Sequence, residues 1–186
     1  MRDEATEQHG ECQLRSPRLT YRPITAADAA RVATLAGEWD IARMTSRIPH
    51  PYSLVDADLW IASIGTDEFV RGVELDGQLI GAVGYIEGKD RQAEIGYWIG
   101  KPFWGRGFAT EAAQTLVAHC FGPAGFSRLT CGHFVDNPAS GRVIAKLGFR
   151  RIGNGRQWCE ARKTEVDTVR YARRRPLFAA WRSRTP

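Results

Sequence analysis

The sequence contains no long hydrophobic run, because glycine, proline or a charged residue interrupts every apolar stretch before the roughly 18 residues that a membrane-spanning helix needs. It also lacks a signal-like start, since the segment from Met1 to Arg18 mixes acids, bases and amides where a secretory signal has an apolar segment. The four cysteines form no CxxC pair and are expected to be reduced thiols. We therefore expect a cytoplasmic protein that does not cross a membrane and has no disulfide framework.

The composition is that of an ordinary globular protein. Of the 186 residues, 43% are hydrophobic and 25% are charged, proportions that exclude a disordered, collagen-like or coiled-coil chain. The length suits one domain, and no internal repeat is present. Residues 1–13 have no apolar periodicity, so we expect a flexible leader there and a single domain over residues 14–186. The net charge of +5 favours anionic partners such as phosphates without by itself indicating nucleic acid.

Hydrophobic periodicity predicts a mixed α/β fold. Asp76-Gly77-Gln78 lies between two apolar runs and indicates a β-hairpin, which a second turn at Glu87–Asp90 extends into a three-stranded antiparallel meander. Strands and helices then alternate. The predicted strands are Leu19–Ile24, Phe69–Leu75, Leu79–Ile86, Gln92–Ile99, Ser127–Val135, Phe149–Ile152 and Glu165–Ala172, and the predicted helices are Ala26–Gly37, Ser53–Gly65, Phe108–Phe121, Asn137–Leu147 and a closing turn at Leu177–Trp181.

A glycine-rich turn between a strand and a helix is the most informative segment. Gly105 and Gly107 let the backbone approach a phosphate closely, the N–H groups of the following helix attract it, and Arg106 adds a positive charge. A purely structural turn normally needs only one glycine. The pattern Gly105-x-Gly107-x-x-Thr110 overlaps the dinucleotide fingerprint, with Asp136 as a ribose acceptor. The preceding meander argues against two Rossmann halves, and no Gly-Lys-Ser/Thr closes a Walker loop, so an acyl-CoA pyrophosphate is favoured.

Two segments resemble the GNAT superfamily of acetyl-CoA-dependent N-acetyltransferases. Trp104–Ala112, with the sequence WGRGFATEA, resembles the pyrophosphate loop of that superfamily, and Asn137–Phe149, with the sequence NPASGRVIAKLGF, resembles its second cofactor segment. With the opening Leu19–Pro23 and the strand Glu94–Ile99, they resemble the RimJ/RimL branch over Leu19–Trp181. The resemblance implies a GNAT fold, in which a mixed, mostly antiparallel sheet is splayed between strands 4 and 5 and flanked by about four helices.

The resemblance also implies a set of residues that bind acetyl-CoA. In the family the pantetheine arm lies in the gap between strands 4 and 5 and pairs with backbone groups, while the pyrophosphate lies on the glycine turn. Trp104 departs from the family pattern, which has Gln or Arg there, so a side-chain contact to phosphate is lost. The implied cofactor-binding residues are Tyr97, Trp98 and Ile99 on the strand, Trp104, Gly105, Arg106, Gly107, Phe108, Ala109 and Thr110 at the turn and helix start, and Asn137 and Ser140 in the second segment.

Two side chains are candidates for the chemistry. Glu94, at the start of the cleft strand, is the first candidate for the base that deprotonates the amine, and an ordinary surface glutamate is the alternative. The resemblance implies that Ser140 lies near the sulfur and is a candidate for the acid that protonates the thiolate. Many GNAT enzymes have a tyrosine acid in that helix and this chain has none, so solvent is the alternative acid. His133 is a reserve base, although a half-buried, hydrogen-bonded histidine is the more common case. The cysteines and histidines lack the spacing of metal ligands, so no metal is expected.

We expect an enzyme that transfers acetyl from acetyl-CoA to a primary amine, either a protein N-terminus or a small molecule, by direct attack in a ternary complex. The loop Arg43–Tyr52 is expected to shape the acceptor pocket. The alternative is a catalytically silent acyl-CoA-binding or RNA-associated protein whose basic residues Arg170 and Arg173–Arg175 contact RNA. An amine acceptor is the expected partner, a homodimer is left open, and neither a membrane nor a nucleic acid is expected.

Overall fold

The computed structural model describes residues 14–65 and 68–176, which form a seven-stranded sheet with helices on both faces. The predicted leader over residues 1–13 and the predicted closing turn Leu177–Trp181 lie outside these residues. The strands are β1 Thr20–Arg22, β2 Glu68–Leu75, β3 Gln78–Glu87, β4 Gln92–Ile99, β5 Arg128–Phe134, β6 Arg150–Cys159 and β7 Thr164–Arg174. The helices are α1 Ala29–Ala36, α2 Trp39–Ala42, α3 Leu54–Ser63, α4 Phe108–Phe121 and α5 Pro138–Lys146, with 3₁₀ turns at Ala26–Asp28 and Lys101–Phe103.

The strand order is β1-β2-β3-β4-β5-β7-β6, and within the described part of the chain β4 and β5 are the one parallel pair. The predicted meander of β2, β3 and β4 is confirmed. Its first turn holds Asp76 and Gly77 at φ of 51° and 76°, the two positive values that a type I′ hairpin requires. A sheet with one parallel pair is not the doubly wound sheet of a dinucleotide-binding protein, so that alternative is wrong. The mixed, mostly antiparallel sheet is confirmed.

The helix ends follow from their capping residues. Ser53 precedes α3, where its hydroxyl accepts a hydrogen bond from the Asp56 amide at 3.1 Å and its own amide donates to the Asp56 carboxylate at 2.8 Å. Asn137 precedes α5, and Gly148 follows that helix at φ of 75°. Among the described residues, four helices have eight residues or more and α2 is a single turn, in agreement with the implied fold. No helix there is long and apolar enough to cross a membrane.

Two hydrophobic cores lie on opposite faces of the sheet. One contains α4 and α5 residues such as Leu116 and Ile144, and we name that side the α4 face. The other contains α1 and α3 residues such as Val32 and Ala57, and we name that side the α1 face. Because side chains alternate along a strand, the odd-numbered residues of β4 face α4 and the even-numbered residues face α1.

The prediction of a short strand at Phe149–Ile152 is wrong in length. β6 continues to Cys159 and forms a long antiparallel hairpin with β7. The segment after Ile152 is rich in glycine and polar residues, which weakens the strand signal in the sequence. Pairing with β7 supplies the hydrogen bonds that make it a strand, and this pairing is a tertiary property.

Candidate functional site

β4 and β5 pair only at their N-terminal ends. The parallel register joins Gln92–Glu94 to Arg128–Thr130 and stops there. Beyond Glu94 the strands diverge, and a cavity of about 1190 Å³ opens between them. The cavity reaches both faces of the sheet, since its lining includes α4 and α5 on one face and α3 and residues 43–49 on the other. The implied splay is therefore confirmed, and Glu94 lies at its apex.

The pairing of β3 with β4 decides which backbone groups of β4 face the gap. Gly100 donates a hydrogen bond to the Ile80 carbonyl at 2.7 Å. In an antiparallel pair, hydrogen-bonded residues alternate with residues whose N–H and C=O groups point away from the partner strand. By this alternation the backbone groups of Trp98 point towards β3, whereas those of Tyr97 and Ile99 point into the gap. Two of the three strand residues implied for the cofactor thus offer backbone groups to a ligand there.

Trp104 and Arg106, at the glycine turn, point in different directions. The indole N–H of Trp104 donates to the Ile99 carbonyl at 2.5 Å, which satisfies a carbonyl on the unpaired edge of β4. This bond gives a structural role to the residue that departs from the family pattern. Arg106 does not line the cavity, and its guanidinium lies 4.8 Å from the centre of the Phe108 ring. The turn therefore meets the cavity through its backbone and Trp104.

The glycine turn leaves unpaired N–H groups at the start of α4. Gly105 and Gly107 are left-handed, with φ of 75° and 82°, and no described side chain caps the helix. The first helical hydrogen bond runs from the Glu111 amide to the Gly107 carbonyl at 3.1 Å. The N–H groups of Phe108–Thr110 therefore have no partner within the helix, and these residues line the cavity. The arrangement suits an anion.

A mostly buried carboxylate holds this turn in place. Glu111 accepts hydrogen bonds from the Ser16 hydroxyl at 2.7 Å and from the Arg18 amide and side chain at 2.9 and 2.7 Å. Burial raises the pKa of Glu111, but these hydrogen bonds outweigh it and the pKa is lowered. Arg18 also donates to the Arg106 carbonyl at 3.0 Å and lies over the Phe108 ring. This contact between residues 16–18 and the glycine turn was not predicted, because it joins residues far apart in the sequence.

A pair of hydroxyl groups lies on the α4 face of the gap. Asn137 caps α5, where its Oδ1 accepts a hydrogen bond from the Ser140 amide at 3.1 Å. The hydroxyl oxygens of Ser140 and Tyr97 are 2.9 Å apart. Burial raises the pKa of Tyr97 to about 12, although the bond to Ser140 opposes this effect, so the phenol is protonated at neutral pH. The sequence indicated only a backbone role for Tyr97, and its side chain was missed.

Glu94 lies on the α1 face of β4, on the other side of the gap from Tyr97. Its side chain is exposed, and no described side chain forms a hydrogen bond or ion pair with it. Burial, and secondarily the charge of Glu94, raise the pKa of the Cys131 thiol to about 12. A free carboxylate and a neutral hydroxyl pair thus lie on opposite sides of one opening.

His133 lies in the cavity wall with both ring nitrogens engaged. Its Nδ1 is 2.7 Å from the Phe134 carbonyl and its Nε2 is 3.2 Å from the Tyr171 hydroxyl. A carbonyl only accepts, so the partners assign the proton to Nδ1 and make Nε2 the acceptor from Tyr171. This leaves no free lone pair on the ring. Elsewhere in the described residues, no three His, Cys, Asp or Glu side chains are grouped to hold a metal ion.

A family model for the acetyltransferase (GNAT) domain matches residues 18–150. The chain belongs to the GNAT acetyltransferase family. The matched range includes the glycine turn, β4 and α5, which are the segments on which the resemblance rested, and the resemblance is confirmed. Every site residue that the sequence predicted lines the cavity between β4 and β5, with the exception of Arg106.

Several GNAT proteins are similar to this chain. The uncharacterized N-acetyltransferase YoaA of Bacillus subtilis is 39% identical over 97 residues, which cover 51% of this chain and 55% of YoaA. The ribosomal-protein-serine acetyltransferase of Escherichia coli is 35% identical over 74 residues, which cover 39% of this chain and 41% of that protein. The chain therefore spans about half the length of the curated relatives it matches. These relatives agree with a RimJ/RimL-like branch.

A solved structure shares the fold over nearly its whole length. RimL, a ribosomal L7/L12 α-N-protein acetyltransferase solved with coenzyme A, has a TM-score of 0.78 at 19% identity. The likeness covers 87% of this chain and 97% of that chain. At this identity the likeness confirms the GNAT fold alone.

Proposed function

We propose that this chain is an acetyl-CoA-dependent N-acetyltransferase that acts on a primary amine. The observation that carries the proposal is a single cavity through the sheet, with unpaired helix N–H groups at one end and the free Glu94 carboxylate at its apex. Support comes from relatives named as acetyltransferases and from RimL, which was solved with coenzyme A. The cytoplasm is the expected location.

Acetyl-CoA binds in this proposal with its pyrophosphate on the N–H groups of Phe108–Thr110, where the positive end of α4 adds attraction. The pantetheine arm adds to the unpaired edge of β4 and pairs with backbone groups of Tyr97 and with the amide of Ile99. The Ile99 carbonyl takes no part because Trp104 occupies it. A backbone N–H near the apex polarises the thioester carbonyl and stabilises the oxyanion that forms on attack.

The amine attacks the thioester carbon from the α1 face, where Glu94 accepts its proton directly or through a water molecule. The carbon–sulfur bond then breaks, and the thiolate leaves on the α4 face. There the Ser140 hydroxyl donates a proton to the thiolate sulfur and regains one from solvent, and the protonated Tyr97 phenol orients Ser140. Attack is direct, so no covalent enzyme intermediate forms. His133 is disfavoured as the base because its Nε2 already accepts a hydrogen bond.

The RNA-associated alternative depends on a basic cluster that is partly engaged. Arg173 donates to the Leu147 carbonyl, and its guanidinium lies 5.5 Å from the centre of the Phe121 ring. One of the four arginines of the cluster therefore supports the packing of α4 and α5. This contact favours a structural role for that residue over a contact to RNA.

Calorimetry and a CoA-release assay test the proposal. Acetyl-CoA is expected to bind and to raise thermal stability, since it binds the folded state only, while NAD has much less effect. A panel of primary amines is then expected to give acetyl-CoA-dependent release of free CoA. Tight binding of NAD without binding of acetyl-CoA would contradict the cofactor assignment. Binding of acetyl-CoA with no turnover of any amine would support the catalytically silent alternative.

A further inference from the structure

The acceptor half of the cavity is acidic although the chain is basic. The chain carries a net charge of +5. The charged side chains around the opening on the α1 face are five carboxylates, Asp40, Asp56, Glu68, Glu94 and Asp136, and two guanidinium groups, Arg43 and Arg47. A cleft whose lining has an excess of one sign of charge focuses its field and attracts ligands of the opposite sign. This part of the cavity therefore favours a cationic ligand.

One of these carboxylates is free, and the other four have partners within the protein. Asp40 and Asp136 each form an ion pair at 2.8 Å with a basic side chain, and the Asp56 carboxylate accepts hydrogen bonds from Ser53 at the start of α3. Glu94 has no side-chain partner among the described residues. Glu68 is mostly buried, with a side chain only 14% exposed. Glu94 is therefore free, whereas a ligand cation reaches Glu68 only by displacing Arg47.

Glu68 and Glu94 belong to one row of residues across β2, β3 and β4. Glu68 pairs with Ile86, and Ile86 pairs with Glu94, so all three side chains lie on the α1 face and line the cavity. Neighbouring strands are about 4.8 Å apart, which separates the two glutamate Cα atoms by about 10 Å. Ile86 is 41% exposed between them. The row thus presents a carboxylate, an apolar side chain and a second carboxylate.

A cation already occupies the Glu68 end of this row. The Arg47 guanidinium is 2.6 Å from the Glu68 Oε1 atom, but that buried oxygen receives no hydrogen bond in the described structure. Arg47 itself is 65% exposed. The preceding loop segment is anchored independently, since the Ser46 carbonyl accepts a hydrogen bond from the Glu160 amide at 2.9 Å. Arg47 can therefore leave Glu68 without releasing the loop, and a ligand ammonium can take its place beside that oxygen.

We propose that Glu68 is a specificity-determining residue for an acceptor amine that carries a second cationic group. This inference rests on the proposed function. The reacting amine lies at Glu94, the methylene chain of the acceptor lies over Ile86, and the second ammonium replaces Arg47 on Glu68. An aliphatic diamine has the matching order of charge, apolar chain and charge.

The test compares hexamethylenediamine with n-hexylamine, which has the same chain length and one ammonium group. Wild-type protein is expected to favour the diamine in kcat/KM by about tenfold or more, the effect of one charge-assisted hydrogen bond. In Glu68→Gln this preference is expected to fall to near one. Glu87→Gln is the matched control, because it removes the same charge from an exposed residue on the other face of β3 and should keep the preference. Arg47→Gln should increase the preference by freeing Glu68.

Calorimetry of hexamethylenediamine binding to the CoA-loaded protein separates this inference from the proposed function. Weaker diamine binding in Glu68→Gln but not in Glu87→Gln would support the site, even if acetyl transfer failed. Equal use of both amines by wild type, or an unchanged preference in Glu68→Gln, would overturn the site while leaving the acetyltransferase proposal in place. Absence of acetyl-CoA binding and turnover would instead contradict the proposed function.

Discussion

Substituting Gly107 by valine or by asparagine distinguishes the effect of backbone conformation at this position from the effect of side-chain size. A Cβ atom at this position would meet only one side-chain atom, 3.6 Å away, so space is available. The φ of 82°, in contrast, costs an ordinary residue about 1–2 kcal/mol and a β-branched residue more, whereas asparagine tolerates it. Valine is therefore expected to pull the turn out of its left-handed conformation, and asparagine is expected to keep it.

Loss of this conformation redirects the N–H groups of Phe108–Thr110. A hydrogen bond to a charged group is worth roughly 1.5–3 kcal/mol, so losing even one weakens acetyl-CoA affinity by about tenfold or more. Calorimetric titration should therefore give a much higher Kd for Gly107→Val and a nearly normal Kd for Gly107→Asn. Circular dichroism checks that both variants are folded. Equal affinity of Gly107→Val and wild type for acetyl-CoA would refute the argument. An equal loss of affinity in both variants would show that side-chain size, and not backbone conformation, determines binding.

Three further perturbations address the acid, the acceptor entrance and stability. Ser140→Ala should lower kcat by about tenfold or more. Tyr97→Phe should cause little further loss of kcat in the Ser140→Ala variant, because Tyr97 acts through Ser140, and additive losses in a double-mutant cycle would contradict this. In Gly96→Val the added side chain projects into open space of the cavity on the α1 face, where the acceptor amine enters. The KM for the amine should therefore rise while acetyl-CoA affinity is unchanged, and a changed Kd for acetyl-CoA would contradict this. Hydrogen bonds from Arg22 lower the pKa of Asp28 to about 2. At a pH above its ordinary pKa, Asp28 therefore contributes roughly 2 kcal/mol to the free energy of unfolding, and this contribution is lost as the pH falls from about 4 to 2. Asp28→Asn should therefore cost less unfolding free energy at pH 2 than at pH 7, as denaturant titrations would measure.

Local patterns made much of this fold predictable. The meander follows from the Asp76-Gly77 turn between apolar runs, and α5 follows from Asn137 and Pro138 at its start. The glycine turn was recognisable because Gly105 and Gly107 adopt conformations that other residues avoid. Each of these signals acts over a few residues, which is the range in which a sequence specifies its own structure.

Features that join distant segments could not be predicted in the same way. The long β6–β7 hairpin depends on pairing, and Glu111 holds Arg18 from 93 positions away in the sequence. The hydrogen bond between Tyr97 and Ser140 requires β4 and α5 to be placed side by side. The orientation of the Trp98 backbone depends on the register with β3. In each case the sequence shows the residue itself, but tertiary structure determines which residue it contacts.

The pH dependence of acetyl transfer by Glu94→Gln tests the central claim most directly, because glutamine keeps the shape of the side chain and removes only the proton acceptor. The variant should bind acetyl-CoA as wild type does and lose about 10²- to 10⁴-fold in turnover at neutral pH. The defect should shrink at high pH, where the acceptor amine is already neutral and needs no base. Unchanged turnover across the whole pH range would contradict the assignment of Glu94 and would leave an enzyme that only positions an amine deprotonated in solution.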